Sequence, residues 1–179
     1  MKNVFSFIVF TTLLLIQFNV SSQTRDSEEE PQLNFEERHE QLRQNNTAHV
    51  DKMISFAKTF LGTPYVTAGA SPTGFDCSGF VMYVLGNFGF NIVHSSYGMA
   101  EYGKTVKLSE VKPGDLMFFK GRNVNATRIG HVAMVVEVHP TDGIKFIHAS
   151  SRGIAIDKFG GGYYVPRYVT TKRLDYGKP

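Results

Sequence analysis

The stretch Asp76-Cys77-Ser78-Gly79-Phe80 contains the only cysteine in a chain of 179 residues. It follows a loop punctuated by glycine and proline at residues 63–75, and the apolar spacing behind it predicts a helix over residues 76–88. A cysteine at a helix start lies among unpaired N–H groups, which together with the helix dipole favour an anion such as a thiolate. We therefore predict that Cys77 is a nucleophile with a lowered pKa; the alternative is a small buried hydrophobic residue.

Two histidines are candidates for the base and the orienter that a cysteine nucleophile needs. His131 opens the most apolar predicted strand, residues 131–138, and His148 lies within the next predicted strand, residues 145–149. Consecutive strands usually lie side by side, so a hairpin would bring both rings onto one sheet. A lone histidine in an apolar strand is usually a core residue, but two on neighbouring strands, in a chain with a helix-start cysteine, favour a catalytic role. The remaining histidines lie outside these strands, at His39, His49, His94 and His139.

Two registers of that hairpin are open. A loop centred on residues 139–140 places His131 opposite His148, on the same face of the sheet. A two-residue turn at residues 142–143, which is the stronger local hairpin signal, places Glu137 opposite His148 instead. The two rings would then lie on the order of 20 Å apart. Because a catalytic base needs its second ring nitrogen held, we predict the wider loop.

The remaining apolar pattern defines the fold class. Helical spacing runs from Val50 to Leu61, and Gly62 is a stop signal. After Gly114 the helical period is lost. Five apolar segments separated by turn residues then predict strands, at residues 116–119, 131–138, 145–149, 154–156 and 165–174. Helices followed by such strands indicate an α+β fold, with N-terminal helices packed on a central antiparallel sheet.

The N-terminal part of the chain has a different composition. Residues 1–22 combine a basic start, an apolar middle and small residues at the end, which predicts a secretory signal peptide cleaved near Ser22. No cysteine lies there to carry a lipid anchor, so we expect an exported protein, periplasmic or extracellular, with no membrane span in its mature form. Residues 23–47 form an acidic lead, flexible or partly helical over residues 35–44. Residues 48–179 form the predicted domain.

Composition excludes several classes of protein. A single cysteine cannot form an internal disulfide, and it has no cysteine neighbours for a zinc site. The chain has no Trp, no arginine-rich run and no heptad array, so we expect neither nucleic-acid binding nor a coiled coil. Residues 48–179 carry 15 bases and nine acids. This excess suits a polyanionic matrix such as a bacterial cell wall, or it only aids solubility.

Three sequence blocks resemble the signatures of the NlpC-type cell-wall cysteine peptidases. They are Asp76-Cys77-Ser78-Gly79-Phe80-Val81, Gly130-His131-Val132-Ala133-Met134-Val135 and Phe146-Ile147-His148-Ala149-Ser150. Two accessory blocks agree, Gly62-Thr63-Pro64-Tyr65 and residues 112–119. The blocks occur in order and extend over about residues 50–174. The resemblance implies a papain-like α+β fold and hydrolysis of peptidoglycan stem peptides, usually at the bond between γ-D-glutamate and a diamino acid.

The same resemblance assigns roles to individual residues. It implies that Cys77 is the nucleophile, His131 the base and His148 the orienter, and that no metal or cofactor is needed. Four further positions match residues near the oxyanion or the substrate in the family: Tyr65 faces the active site, Asp76 and Ser78 hold the free amine of an N-terminal L-Ala in some members, and Ser96 lies near the substrate. His94 and Met99 depart from the family pattern, in which we expect Arg and Gln.

Two other functions remain open from the sequence. An amidase of related fold would cut the glycan–peptide bond with the same cysteine–histidine pair. A non-catalytic module would bind cell-wall fragments without cutting them, although the intact set of Cys77, His131 and His148 argues against this.

Overall fold

The computed structural model describes residues 34–177. The predicted signal peptide and residues 23–33 of the acidic lead lie outside the described residues. The helices are α1 (Phe35–Lys58), α2 (Cys77–Gly86), α3 (Ser96–Met99) and α4 (Gly161–Tyr164). The strands are β1 (Ala70–Ser71), β2 (Gly74–Phe75), β3 (Lys104–Val106), β4 (Leu116–Lys120), β5 (Ile129–His139), β6 (Gly143–Ser150), β7 (Gly153–Lys158) and β8 (Tyr168–Arg173).

Helix α1 is longer than the sequence pattern predicted. Asn34 caps it in a reciprocal capping box with Glu37. No glycine or proline lies between residues 35 and 58, so the surface helix expected at residues 35–44 and the apolar helix that follows are one continuous helix. Only the second half is buried, through Val50, Met53, Ile54 and Ala57.

The sheet confirms the predicted α+β class. Six antiparallel strands follow the order β3-β8-β4-β5-β6-β7, and β1 and β2 form a separate small hairpin. Alternate residues of β4 and β5 face two apolar clusters. The larger cluster includes Met53 of α1 and Phe80 of α2, so the helices cover that face. The smaller cluster contains Phe119 and Phe146 and is covered by Tyr164 and Tyr168.

The strands differ from the predicted ones in number and in bounds. β3 was not predicted from the sequence. The last strand begins at Tyr168 rather than at residue 165, because Val165–Arg167 form a 3₁₀ turn that contains Pro166. Proline fixes its own φ and has no N–H to donate to a sheet, so this segment leaves the strand pattern.

The β5–β6 hairpin has neither of the two registers considered above: the two-residue turn is absent, as predicted, but the predicted loop centred on residues 139–140 is wrong. His139 pairs with Gly143 around a three-residue loop, and Gly143 has the positive φ that such a loop favours, +75°. The register then shifts by one residue between Val135 and Glu137. Met134 pairs with Ile147, and continuing this register places His148 opposite Ala133.

His139 shapes the hairpin loop through its ring. Its Nδ1 lies 2.9 Å from the Thr141 hydroxyl and accepts a 3.3 Å hydrogen bond from the Thr141 N–H. This histidine therefore stabilises the turn at the far end of the hairpin from His131.

Within residues 34–177, no helix is both long enough and apolar enough to cross a membrane.

Candidate active site

Cys77, His131 and His148 line one cavity of about 530 Å³. The cysteine comes from the start of α2, on the helical side of the sheet. The histidines come from the neighbouring strands β5 and β6. Their rings lie at the margin of the smaller cluster, near Phe119 and Phe146. The fold thus brings together the three residues that the sequence predicted for catalysis.

The histidines belong to a continuous hydrogen-bond chain. Nε2 of His131 lies 2.8 Å from Nδ1 of His148, and Nε2 of His148 lies 3.1 Å from a carboxylate oxygen of Asp157. A carboxylate can only accept here, so Nε2 of His148 carries the proton and its Nδ1 is an acceptor. His131 must then donate from Nε2, which leaves its Nδ1 unprotonated. This hydrogen-bond chain therefore fixes His131 in the tautomer that a base requires, with Nδ1 free to accept a proton.

Asp157 was missed by the sequence analysis. The predicted strand 154–156 ended one residue before it, whereas β7 continues to Lys158. Arg152 donates to both oxygens of this carboxylate, at 2.9 and 3.1 Å, and the hydroxyl of Tyr164 donates to one of them. One feature of the sequence could have identified Asp157: it is an acidic residue next to an apolar strand that was expected to lie beside the strand of His148.

Burial decides the charge of both histidines. It lowers the pKa of His131 from 6.5 to about 3, and the neighbouring His148 adds to this effect. Burial also lowers the pKa of His148, against the opposing charge and hydrogen bond of Asp157. Burial alone would raise the pKa of Asp157, but hydrogen bonds from Tyr164 and Arg152 bring it below its usual value. At neutral pH the hydrogen-bond chain from His131 to Asp157 therefore consists of two neutral imidazoles and one carboxylate.

The predicted low pKa of Cys77 is wrong in direction. Cys77 is 9% exposed, and this burial raises its pKa above the usual value of 9.0. The hydrogen bond from the Val132 backbone N–H opposes the rise, while the negative charge of Asp76 adds to it. The helix start therefore does not produce a free thiolate, because α2 begins against the sheet rather than in water.

The predicted residues around the nucleophile fall into two groups. Tyr65 lines the cavity, and burial raises its pKa with a further contribution from Cys77, so it remains a hydroxyl at neutral pH. Asp76, Ser78 and Ser96 do not line it. Ser96 begins the short helix α3.

Asp76 is fixed by three donors on one carboxylate oxygen. Its Oδ1 accepts from the Gly79 N–H at 2.7 Å and from the Ser78 hydroxyl at 3.0 Å, and Nε2 of His94 lies 3.0 Å away. The first contact is the N-cap of α2. His94, which departs from the family pattern, is thus a direct partner of Asp76. These bonds leave Oδ2 available for a further donor.

The architecture is that of the papain-like α+β proteins, with a helix-start cysteine beside histidines on an antiparallel sheet. Residues 62–173 match the family model described as the NlpC/P60 family. This match covers more than half of the chain, so the chain belongs to the NlpC/P60 family.

Individual relatives agree with this assignment. A probable endopeptidase of Haemophilus influenzae is 36% identical over 116 residues, which are 63% of this chain and 67% of that protein. A γ-D-glutamyl-L-lysine dipeptidyl-peptidase of Bacillus cereus is 33% identical over 129 residues, which are 71% of this chain and 37% of that protein. The crystal structure of an NlpC/P60 family protein from Bacillus cereus is 31% identical and superposes with a TM-score of 0.62, covering 70% of this chain and 40% of that one. The chain spans about a third of the length of most of the curated relatives it matches.

Proposed function

We propose that the protein is a cysteine endopeptidase that hydrolyses peptidoglycan stem peptides between γ-D-glutamate and a diamino acid. The observation that carries this proposal is the chain from His131 through His148 to Asp157 in the cavity that Cys77 also lines. Curated relatives support the substrate: one is named a probable peptidoglycan endopeptidase, and others are named γ-D-glutamyl-L-lysine dipeptidyl-peptidases.

The first step begins from a neutral thiol and a neutral imidazole. Cys77 attacks the carbonyl carbon of the scissile amide while Nδ1 of His131 takes the thiol proton, so the thiolate forms only during attack. The resulting imidazolium is partly buried, and it is stabilised through His148 by the carboxylate of Asp157. Proton transfer during attack fits the raised pKa of Cys77 and the lowered pKa of His131.

The attack creates an oxyanion, which needs hydrogen-bond donors already in position. The backbone N–H of Cys77 at the start of α2 and the hydroxyl of Tyr65 are the two candidates. A donor of this kind contributes about 3 kcal/mol to the transition state. The raised pKa of Tyr65 keeps its proton in place for this role.

The tetrahedral intermediate then breaks its carbon–nitrogen bond. His131 returns its proton to the leaving amine, and the acyl group remains on Cys77 as a thioester. Water hydrolyses the thioester with His131 again as base, which restores the thiol and releases the carboxylic acid product. The complete cycle consumes one peptide bond and one water, and it regenerates the thiol of Cys77 and the neutral imidazole of His131.

Asp76 is the proposed contact for the amine of the acyl part of the substrate. Its Oδ1 is occupied by Gly79, Ser78 and His94, and its free Oδ2 can accept from an ammonium group. Ser78 then acts by holding Asp76. Ser96 is a further proposed substrate contact, and this proposal is based on the family resemblance alone.

We further propose that the protein acts outside the cytoplasm, with residues 1–22 as a cleaved signal peptide. The apolar pattern of these residues and the cell-wall names of the relatives support this. Mass spectrometry of the protein recovered from its exported fraction should give an N-terminus near Ser22.

Digestion of defined muropeptides tests the reaction. The parent protein should release fragments cut between γ-D-glutamate and the diamino acid, identified by mass spectrometry, and the Cys77→Ala protein should release none. Release of an intact stem peptide from the glycan would instead establish the amidase. Binding without cleavage, retained by Cys77→Ala, would establish a binding module.

A further inference from the structure

The cavity beside Cys77 is basic. Four cationic side chains line it. Among the described residues, its lining contains one acidic side chain, that of Asp157. The cations come from three separate segments: the end of β4 and the loop after it, the β6–β7 turn, and the 3₁₀ turn before β8. They are Lys120, Arg122, Arg152 and Arg167.

Three of these charges have no acidic partner within residues 34–177. Only Arg152 is paired, with Asp157. Lys120 donates to the Val124 carbonyl at 3.0 Å, and Arg122 makes no side-chain hydrogen bond to the described residues. Arg167 donates only to backbone carbonyls, and its Nε is buried without a partner among these residues. Positive charge that the protein itself leaves uncompensated favours a bound anion.

The basic wall is held in shape before any ligand binds. Arg167 donates to the carbonyls of Tyr163 and Arg122, at 2.9 and 3.2 Å, and its guanidinium lies 4.0 Å from the centre of the Tyr163 ring. These contacts tie the loop after β4 to the segment before β8. A binding wall fixed in this way loses little freedom when a ligand arrives.

The position of His131 tells which part of a peptide enters this cavity. The group that protonates the leaving amine must lie beside the leaving nitrogen. His131 and the residues behind it, His148 and Asp157, all line the basic cavity, whereas Asp76 and Ser78 do not. The cavity is therefore on the leaving-group side, and the Asp76 carboxylate, which is the proposed contact for the amine of the acyl part, lies outside its lining.

We propose that Arg122 and Arg167 form a subsite for a carboxylate on the leaving-group side of the scissile bond. This inference rests on the proposed peptidase function. It adds that the substrate carries opposite charges at its two ends and binds in one direction. The ammonium end lies toward Asp76 and the carboxylate end toward Arg122, so short stem peptides with a free C-terminus are preferred over blocked or extended ones.

A matched pair of substrates tests the subsite. The peptide L-Ala-γ-D-Glu-L-Lys is compared as the free acid and as the C-terminal amide, which differ only in the proposed charge. The parent protein should cleave the acid with a kcat/KM about tenfold higher, and the preference should shrink as salt is raised. Arg122→Gln should reduce it to about twofold or less, since one of the two cations is lost.

Arg128→Gln is the control variant. Arg128 lies in the same connection between β4 and β5, but its guanidinium lies 5.2 Å from the ring centre of Tyr97 and it does not line the cavity. This protein should keep the parental preference. Equal cleavage of acid and amide by the parent, or a preference that survives Arg122→Gln, would overturn the subsite.

Binding to the Cys77→Ala protein separates the subsite from the reaction. Calorimetry should show tighter binding of the acid than of the amide, and Arg122→Gln should reduce the difference to about twofold or less. If the parent protein cleaves neither peptide, the proposed reaction on this substrate fails, and the calorimetric difference still supports or overturns the carboxylate subsite.

Discussion

The Nε2 of His131 lies 2.8 Å from the Nδ1 of His148, although these two residues are not paired across β5 and β6. The register places His148 opposite Ala133, two residues from His131. Residues two apart share a face of the sheet, and long or aromatic side chains reach a diagonal neighbour. The shift between Val135 and Glu137 thus allows a three-residue loop and a histidine contact in the same hairpin.

The two histidines should differ in how much activity their loss removes. His131→Ala should abolish detectable cleavage of muropeptides, because the thiol of Cys77 then has no base. His148→Ala should lower kcat by about a hundredfold, because His131 remains but its tautomer is no longer fixed. Steady-state cleavage of a stem peptide, followed by chromatography, measures both effects.

His139→Ala is the control for this pair. It loses the hydrogen bonds that shape the hairpin loop, but its ring is far from the cavity lining. This protein should cleave at nearly the parental rate. A loss equal to that of His131→Ala in a folded His139→Ala protein would mean that the base is wrongly assigned.

Asp157 should act on the rate through His148. Asp157→Asn removes the charge behind the imidazolium that forms during attack, so we expect kcat to fall about tenfold, equivalent to about 1.4 kcal/mol in the barrier. The loss should appear mainly in kcat, because the carboxylate acts on the reaction through His148 and His131.

Asp142→Asn, in the exposed hairpin loop, makes the same chemical change away from the cavity and should leave kcat unchanged. A lower melting temperature of Asp157→Asn with an unchanged kcat would show that Asp157 only stabilises the fold.

The sequence predicts the parts of this site that depend on local pattern. The helix-start position of Cys77 and the strand positions of His131 and His148 follow from apolar spacing and turn residues. The hairpin register does not, because it depends on the positive φ of Gly143 and on a bulge near Val136. The pKa of Cys77 also escapes a local pattern, since the first turn of α2 is buried by strands distant in sequence.

The acidity of Cys77 should respond to the charge of Asp76. Iodoacetamide labelling of the parent should have its midpoint at or above pH 9, because burial raises the pKa of the thiol. Asp76→Asn keeps a capping side chain but removes the negative charge, so its midpoint should move to lower pH. A parental midpoint well below 9.0, the usual value from which burial raises the pKa, would contradict the neutral ground state.

The first turns of α1 should contribute little to stability. Among residues 34–47 only Asn46 is partly buried, and the first buried side chain is Val50. A truncated protein that begins at Ala48 should therefore melt within a few degrees of the parent in calorimetry. Met53→Ala, which removes a fully buried side chain, should instead lower the free energy of unfolding by about 2–5 kcal/mol. A truncation as damaging as Met53→Ala would show that residues 34–47 pack on the domain.

Stability should fall on mild acidification because the pKa values of His131 and His148 are lowered in the folded protein. The pKa of His131 is about 3 in the folded protein and 6.5 in the unfolded chain, so the unfolded chain binds the extra proton between these values. The stabilisation is complete above pH 6.5 and is lost as the pH falls toward 3, with a slope of up to about 1.4 kcal/mol per pH unit for each such histidine. The carboxylates of Asp76 and Asp157 have pKa values below 3.8, so their contribution is lost only at more acid pH.

Urea unfolding at several pH values between 7.5 and 4.5 measures this slope. His131→Gln should make the dependence of the unfolding free energy on pH shallower, since one of the two histidines that take up a proton on unfolding is gone. An unchanged slope in His131→Gln would mean that the pKa of this imidazole is the same in the folded protein and in the unfolded chain, which would contradict its lowering by burial.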